Sequence, residues 1–331
     1  MTMTADENGR TPPAPREHIT APALRATVRL QNGMLGAARE LLTGAGLTEL
    51  RLPIIGPVTD PGIRGSKQAA IDYYGHSYKL MTSAILYKQV SLTGFGAIFT
   101  VAPNVRLEPL ETATTHRHLA EFHQLDVEVA DTGRDDVMAL AERLVTAMAH
   151  RAVTEHAGDL NTLGRDPRRL TWTGAFDRIP HADAVATLRG IGHEQDPAAE
   201  IDWRAEELLS ARHARPFFVT DYPAGSRGFY DRADRDDPGV LRNFDLLAPD
   251  GFGELASGGE REWEHDRIVA RMRASGEDPG AYGWYLDAVR AGIPASAGFG
   301  IGVERLTRWV AGLDATWQAS PYPKVPGIAA P

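Results

Sequence analysis

Gly298-Phe299-Gly300-Ile301-Gly302-Val303-Glu304-Arg305-Leu306 is the stretch from which the fold is read. Glycine at alternate positions of an apolar strand leaves one face bare, so another backbone or a ligand can come close. The run passes straight into a helical pattern that lasts to residue 313. An arginine just inside that helix can reach a phosphate at the strand end. The spacing is not that of the dinucleotide fingerprint, whose third glycine falls three residues after the second. Alone, the run reads as a packing strand more often than as a site.

Two apolar-alternating runs lie upstream, 97–107 and 120–130, around a polar stretch from Glu108 to Thr115. They predict a hairpin with a long loop. Its mouth carries Arg106, Glu108, His118 and Phe122. A guanidinium suits a phosphate, and a phenylalanine offers a flat face for a base. Glu108 could accept a proton from an exocyclic amine. The plain alternative is a solvated hairpin mouth. A second pair of strands, within 240–258, turns at residues 248–251 and carries Asp245, Glu254 and Ser257. Two acids and a hydroxyl are hard oxygen ligands suited to Mg²⁺. Strand-end salt bridges with arginine are the other reading.

Helices are predicted over 26–46, 82–90, 133–155, 183–190, 200–212, 262–274 and 280–291, with a buried strand at 216–223. Hairpins mixed with helices indicate an α+β fold, one mainly antiparallel sheet with helices on its faces. Residues 1–23 read as a flexible tail and 24–331 as a single domain. The chain has 331 residues, 43% of them hydrophobic, and no cysteine, which rules out disulfides and thiolate metal sites. No apolar run reaches bilayer length and no leader is visible, so a cytoplasmic protein without membrane contact is expected. The net charge of −9 brings no basic stripe with it. Lysine occurs only at Lys67, Lys79, Lys88 and Lys324. Each marks either chance or a place where arginine does not serve.

Taken together and in this order, the three runs resemble the signature motifs of class II aminoacyl-tRNA synthetases, in particular the aspartyl/asparaginyl/lysyl branch. The likeness spans roughly residues 24–328. The helix 29–46 and the strand ending at Pro53 look like the first motif, which builds a homodimer interface. Arg106, Glu108 and the run 116–122 look like the second, and residues 298–306 like the third. The resemblance implies an ATP site in which Arg106 binds the α-phosphate and Glu108 meets the adenine amine. Phe122 would stack on the base, Arg305 would hold the γ-phosphate, and His118 would sit near the phosphates. It implies Mg²⁺ on Asp245, Glu254 and Ser257. On the amino-acid side it implies Ser83, Lys88, Gln124, Asp126 and Arg261, since the runs 83–89 and 124–128 and the position of Arg261 are similar to those of aspartyl enzymes. The run 82–85 (TSAI) and the run 294–296 (PAS) depart from that pattern.

Two cations facing one side chain, Lys88 and Arg261, favour aspartate over asparagine as the acid. Only about 25 residues precede the core, too few for an anticodon-binding barrel. The resulting expectation is an AMP-forming ligase resembling stand-alone asparagine synthetases. Aspartate is activated as an adenylate, ammonia or another amine attacks it, and no tRNA takes part. The alternatives are transfer of the acid to a carrier protein, small amine or metabolite, and a non-catalytic regulatory subunit.

Overall fold

The computed structural model describes residues 11–61 and 66–328. In chain order its strands are β1 (Thr48–Glu49), β2 (Ile55–Gly56), β3 (Ala70–Tyr73), β4 (His76–Leu80), β5 (Ala97–Val105), β6 (Glu121–Ala130), β7 (Asp177–Pro180), β8 (Phe217–Thr220), β9 (Asn243–Ala248), β10 (Gly253–Arg261) and β11 (Ser296–Gly302). The helices are α1 (Pro15–Thr20), α2 (Pro22–Gly44), α3 (Ile85–Ser91), α4 (Arg134–Glu155), α5 (Ala157–Thr162), α6 (His181–Gly190), α7 (Trp203–Ser210), α8 (His265–Ala274), α9 (Gly283–Gly292) and α10 (Val303–Ala311).

Eight strands form one sheet in the order β1-β5-β6-β11-β10-β9-β8-β7. Its interior is antiparallel, as read from the hairpins. The two edge pairs, β1 with β5 and β7 with β8, are parallel. Strands β2, β4 and β3 make a small separate sheet. The expected hairpin is present, with Val105 opposite Glu121. So is the second, whose turn holds Asp250 and Gly251 at positive φ (59° and 83°).

Period-2 alternation divides the sheet into a dry face and a wet one. Leu125 and Val127 of β6, with Ala297, Phe299 and Ile301 of β11, point to the main core. There they meet Leu30, Met34 and Leu42 of α2, Leu144 and Met148 of α4, and Leu306 and Trp309 of α10. The intervening residues, Gln124 and Asp126 of β6 and Gly300 and Gly302 of β11, line a cleft on the other face. Helix α10 starts directly after β11, which places its first turn at the end of that cleft. It stops at Gly312, whose φ of 70° supplies the left-handed residue that ends many helices. Asp202 caps α7 by accepting from the N–H groups of Arg204 and Ala205, each at 2.8 Å.

The expected tail to residue 23 needs correction. Pro15 and Pro22 each open a helix, where a missing N–H costs nothing. His18 is buried, and its Nε2 lies 2.9 Å from the Ser320 carbonyl oxygen. From Pro15 onward the segment is docked on the domain. Residues 1–10 of that tail, and 329–331 of the expected domain, lie outside the described residues. Among the described residues no helix is long and apolar enough to cross a membrane.

Candidate active site

One cleft gathers the three motif runs. Ser83, Lys88, Arg106, Glu108, His118, Phe122, Gln124, Asp126, Glu254, Ser257, Arg261 and Arg305 all line it. Of the residues assigned to the site from the sequence, Asp245 alone does not.

The half of the cleft expected to take the nucleotide is built on the mouth of the β5–β6 hairpin and the first turn of α10. Arg106 is held by its Nε, which donates to the Thr82 carbonyl at 3.0 Å. Its guanidinium lies 5.1 Å from the centre of the Phe122 ring. The cation and the flat apolar face are therefore neighbours, a spacing suited to a base and its own phosphate. His118 is oriented by Thr115, whose Oγ lies 2.5 Å from Nδ1. At the far end Arg305 pairs with Glu254, Nη1 to Oε1 at 3.3 Å. Glu304, one residue earlier, is nearly buried and accepts from the backbone N–H of His123 at 2.9 Å. It also pairs with that imidazole at 3.0 Å, and this hydrogen bond raises the His123 pKa.

The half expected to take the amino acid is a buried charge cluster on the wet faces of β6 and β10. Lys88 Nζ donates to Asp126 Oδ1 at 2.9 Å and lies 3.4 Å from Glu128 Oε2. Arg261 donates from Nε to Glu128 Oε1 at 3.0 Å and from Nη1 to Asp231 Oδ1 at 3.1 Å. Burial alone would lower the Arg261 pKa, but Glu128 and then Asp231 outweigh it and raise it. Burial pushes the Asp231 carboxyl up, and Arg261 opposes that. The two cations read from the sequence thus already carry three carboxylates of their own. Glu128 and Asp231 escaped notice. Glu128 could have been found, because it follows Asp126 by one strand period on the same face. Asp231 sits in an irregular stretch with no periodic signal.

The bare face of the glycine strand serves this cluster. A Cβ on Gly300 would come within 2.6 Å of Asp126 Oδ1 and 2.8 Å of Gln124 Nε2. Both are side-chain tips, so Gly300→Ala should fold. It should raise the amino-acid KM in pyrophosphate exchange by about tenfold, ~1.4 kcal/mol, with little change in the nucleotide KM. Equal losses for both substrates would show that the strand does not divide the site in this way.

Asp245, Glu254 and Ser257, the residues expected to hold magnesium, are each engaged by an arginine. Asp245 is 1% exposed, beneath the cleft floor. Its Oδ2 accepts from Arg227 Nη2 at 2.6 Å, and Arg227 Nη1 donates to Ser257 Oγ at 3.0 Å. Glu254 is turned to Arg305. Both acids thus carry ion pairs with arginine. Burial pushes the Asp245 carboxyl up to about 6, Arg227 opposing and Glu254 adding to the rise. Among the described residues no cluster of three His, Cys, Asp or Glu side chains is arranged to hold a metal ion.

The family model described as tRNA synthetases class II (D, K and N) matches residues 17–326. The chain belongs to this family of class II synthetases. It is 34% identical over 310 residues to the asparagine--tRNA ligase of Pyrococcus abyssi, covering 93% of this chain and 70% of that protein. With the asparagine--tRNA ligase of Thermus thermophilus it shares 32% over 308 residues, 91% of this chain and 69% of that one. The crystal structure of asparaginyl-tRNA synthetase from Pyrococcus horikoshii complexed with asparaginyl-adenylate superposes with a TM-score of 0.89 at 31% identity. It covers 96% of this chain and 72% of that one. These findings overturn two expectations for this class II synthetase domain. Its relatives bear the name of tRNA ligases, against an ammonia-dependent ligase making asparagine from aspartate. The same names stand against the absence of tRNA among its partners.

Proposed function

We propose that this synthetase domain joins asparagine to ATP as asparaginyl-adenylate, releasing pyrophosphate, and then transfers the asparaginyl group to the terminal ribose of a tRNA. The observation that carries the reading is the convergence of Arg106, Phe122 and Arg305 with the Lys88–Arg261 cluster in a single cleft. In this reading adenine lies on Phe122 with its amine toward Glu108. The asparagine α-carboxylate attacks the α-phosphorus. Arg106 meets the negative charge that develops there, and Arg305 and His118 hold the departing pyrophosphate. No covalent enzyme intermediate is needed. Attack by a ribose hydroxyl on the mixed anhydride then expels AMP and leaves an ester.

The charge count supports asparagine. Lys88 and Arg261 face Asp126, Glu128 and Asp231. That is two cations against three carboxylates. A substrate ammonium group beside Asp126 completes the balance, and a neutral amide leaves it undisturbed. A second substrate carboxylate would leave one negative charge that no cation of the cluster balances. The names of the relatives agree. A homodimer belongs to the same reading: Ile54, exposed directly after the first motif, is a side chain that a second copy would cover.

Pyrophosphate exchange and tRNA charging test this directly. With asparagine the expected kcat/KM for exchange exceeds that with aspartate by more than about tenfold. Labelled asparagine is expected to become acid-precipitable with tRNA. Preference for aspartate would return the side-chain reading to the two cations. Exchange without any charging of tRNA would sink the transfer step.

A further inference from the structure

We propose that Arg227 is the resident cation at the phosphate end of the cleft, standing where the sequence reading sets a divalent metal, so that the protein takes up metal only together with a nucleotide. Arg227 lines the cleft although its side chain is only 5% exposed. Its Nη2 donates to Asp245 Oδ2 at 2.6 Å and its Nη1 to Ser257 Oγ at 3.0 Å. Its Nε lies 2.7 Å from Glu200 Oε1. The Tyr222 ring covers it, 4.2 Å from Cζ to the ring centre. Two carboxylates and a hydroxyl around one point are the hard-oxygen set that a magnesium ion would use. Here a planar cation with fixed donor directions fills it.

The arrangement follows from the sheet. Asp245 and Ser257 are partners across β9 and β10, so their side chains share a face and converge. Glu200 comes from the loop before α7, and Arg227 from the irregular stretch after β8. An ionised carboxylate buried as deeply as Asp245 needs a partner, and removing that partner from a buried pair is strongly unfavourable. Magnesium is a poor partner for an empty pocket because it dehydrates reluctantly and leans on substrate phosphates for ligands. A tethered guanidinium requires no such recruitment. With Arg227 present the neighbourhood holds two cations, Arg227 and Arg305, against Asp245, Glu200 and Glu254. Without Arg227 a single cation would face the same three acids, a balance that invites a divalent ion.

The test is Mn²⁺ binding to the full chain, followed by the electron paramagnetic resonance of the free ion. Nucleotide-free wild-type protein and Arg227→Lys are expected to bind none. Arg227→Met is expected to gain one Mn²⁺ per chain, and Arg227→Met/Asp245→Asn to lose it again. Adding ATP to the wild type should bring Mn²⁺ into the complex. The proposal is overturned if the nucleotide-free wild type binds Mn²⁺ at a site that Asp245→Asn removes. It is equally overturned if Arg227→Met, with an unchanged circular dichroism spectrum and melting curve, binds no more Mn²⁺ than the wild type. Should Arg227→Met fail to fold, the comparison of wild type with Asp245→Asn decides alone: no nucleotide-free Mn²⁺ in either upholds it, and binding lost only in Asp245→Asn sinks it. The proposal rests on the nucleotide reading only for the origin of the metal. The nucleotide-free measurement involves no amino acid or tRNA, so its failure is separable from failure of the asparagine assignment.

Discussion

Arg106→Ala should lower kcat for pyrophosphate exchange by on the order of 10²–10³-fold, ~2.7–4 kcal/mol of transition-state stabilisation. The guanidinium sits beside Phe122 at the hairpin mouth, where the attacked phosphorus is drawn in the proposed reaction. Its anchor is one hydrogen bond to the Thr82 carbonyl, which fixes direction without contributing much to the fold. Melting and denaturant unfolding should therefore change by less than about 1 kcal/mol, the net worth of one such bond. A variant that stays folded and keeps wild-type exchange would remove Arg106 from the chemistry. Loss of exchange together with loss of fold would give it a structural role instead.

Glu128→Ala should do the opposite, damaging stability first. Glu128 is fully buried, and it binds Lys88, Arg261 and the Ser296 hydroxyl together. Its removal breaks its buried pairs with Lys88 and Arg261 and leaves buried N–H donors of both cations without an acceptor, at a cost of about 3–5 kcal/mol. The midpoint of urea unfolding should fall accordingly, with the slope unchanged. Glu128→Gln keeps the shape and one acceptor, so its loss should be smaller. The charge of the amino-acid half is altered in both, so discrimination between asparagine and aspartate should shrink in the surviving Gln variant. An alanine variant as stable as the wild type would mean that the cluster is solvated rather than sealed.

The site was legible where it follows strand periodicity and fell short where it depends on convergence. Phe122, Gln124 and Asp126 lie on β6 and Arg106 one residue past the end of β5, and alternation alone sets them on one face. Gly300 was readable as a close-approach position, and the approaching groups are the Asp126 and Gln124 side chains. Lys88 and Arg261 were found, but their meaning changed. Seen as a string they are two cations awaiting a carboxylate. In the fold Asp126, Glu128 and Asp231 already meet them. Arg227 had no signal at all, because its partners Glu200, Tyr222, Asp245 and Ser257 come from four separated segments. The parallel edge strand β7 and the short helices α1 and α5 were missed for a related reason. Elements of four to six residues carry too few periods for a pattern to emerge.

The most direct measurement is a crystal structure of the chain with a non-hydrolysable sulfamoyl analogue of asparaginyl-adenylate. The account predicts adenine against Phe122, the sulfamoyl group on Arg106, the α-ammonium on Asp126, and the side-chain amide between Lys88 and Arg261. An analogue bound elsewhere, or one with its base away from Phe122 and its amide away from that charge cluster, would contradict it.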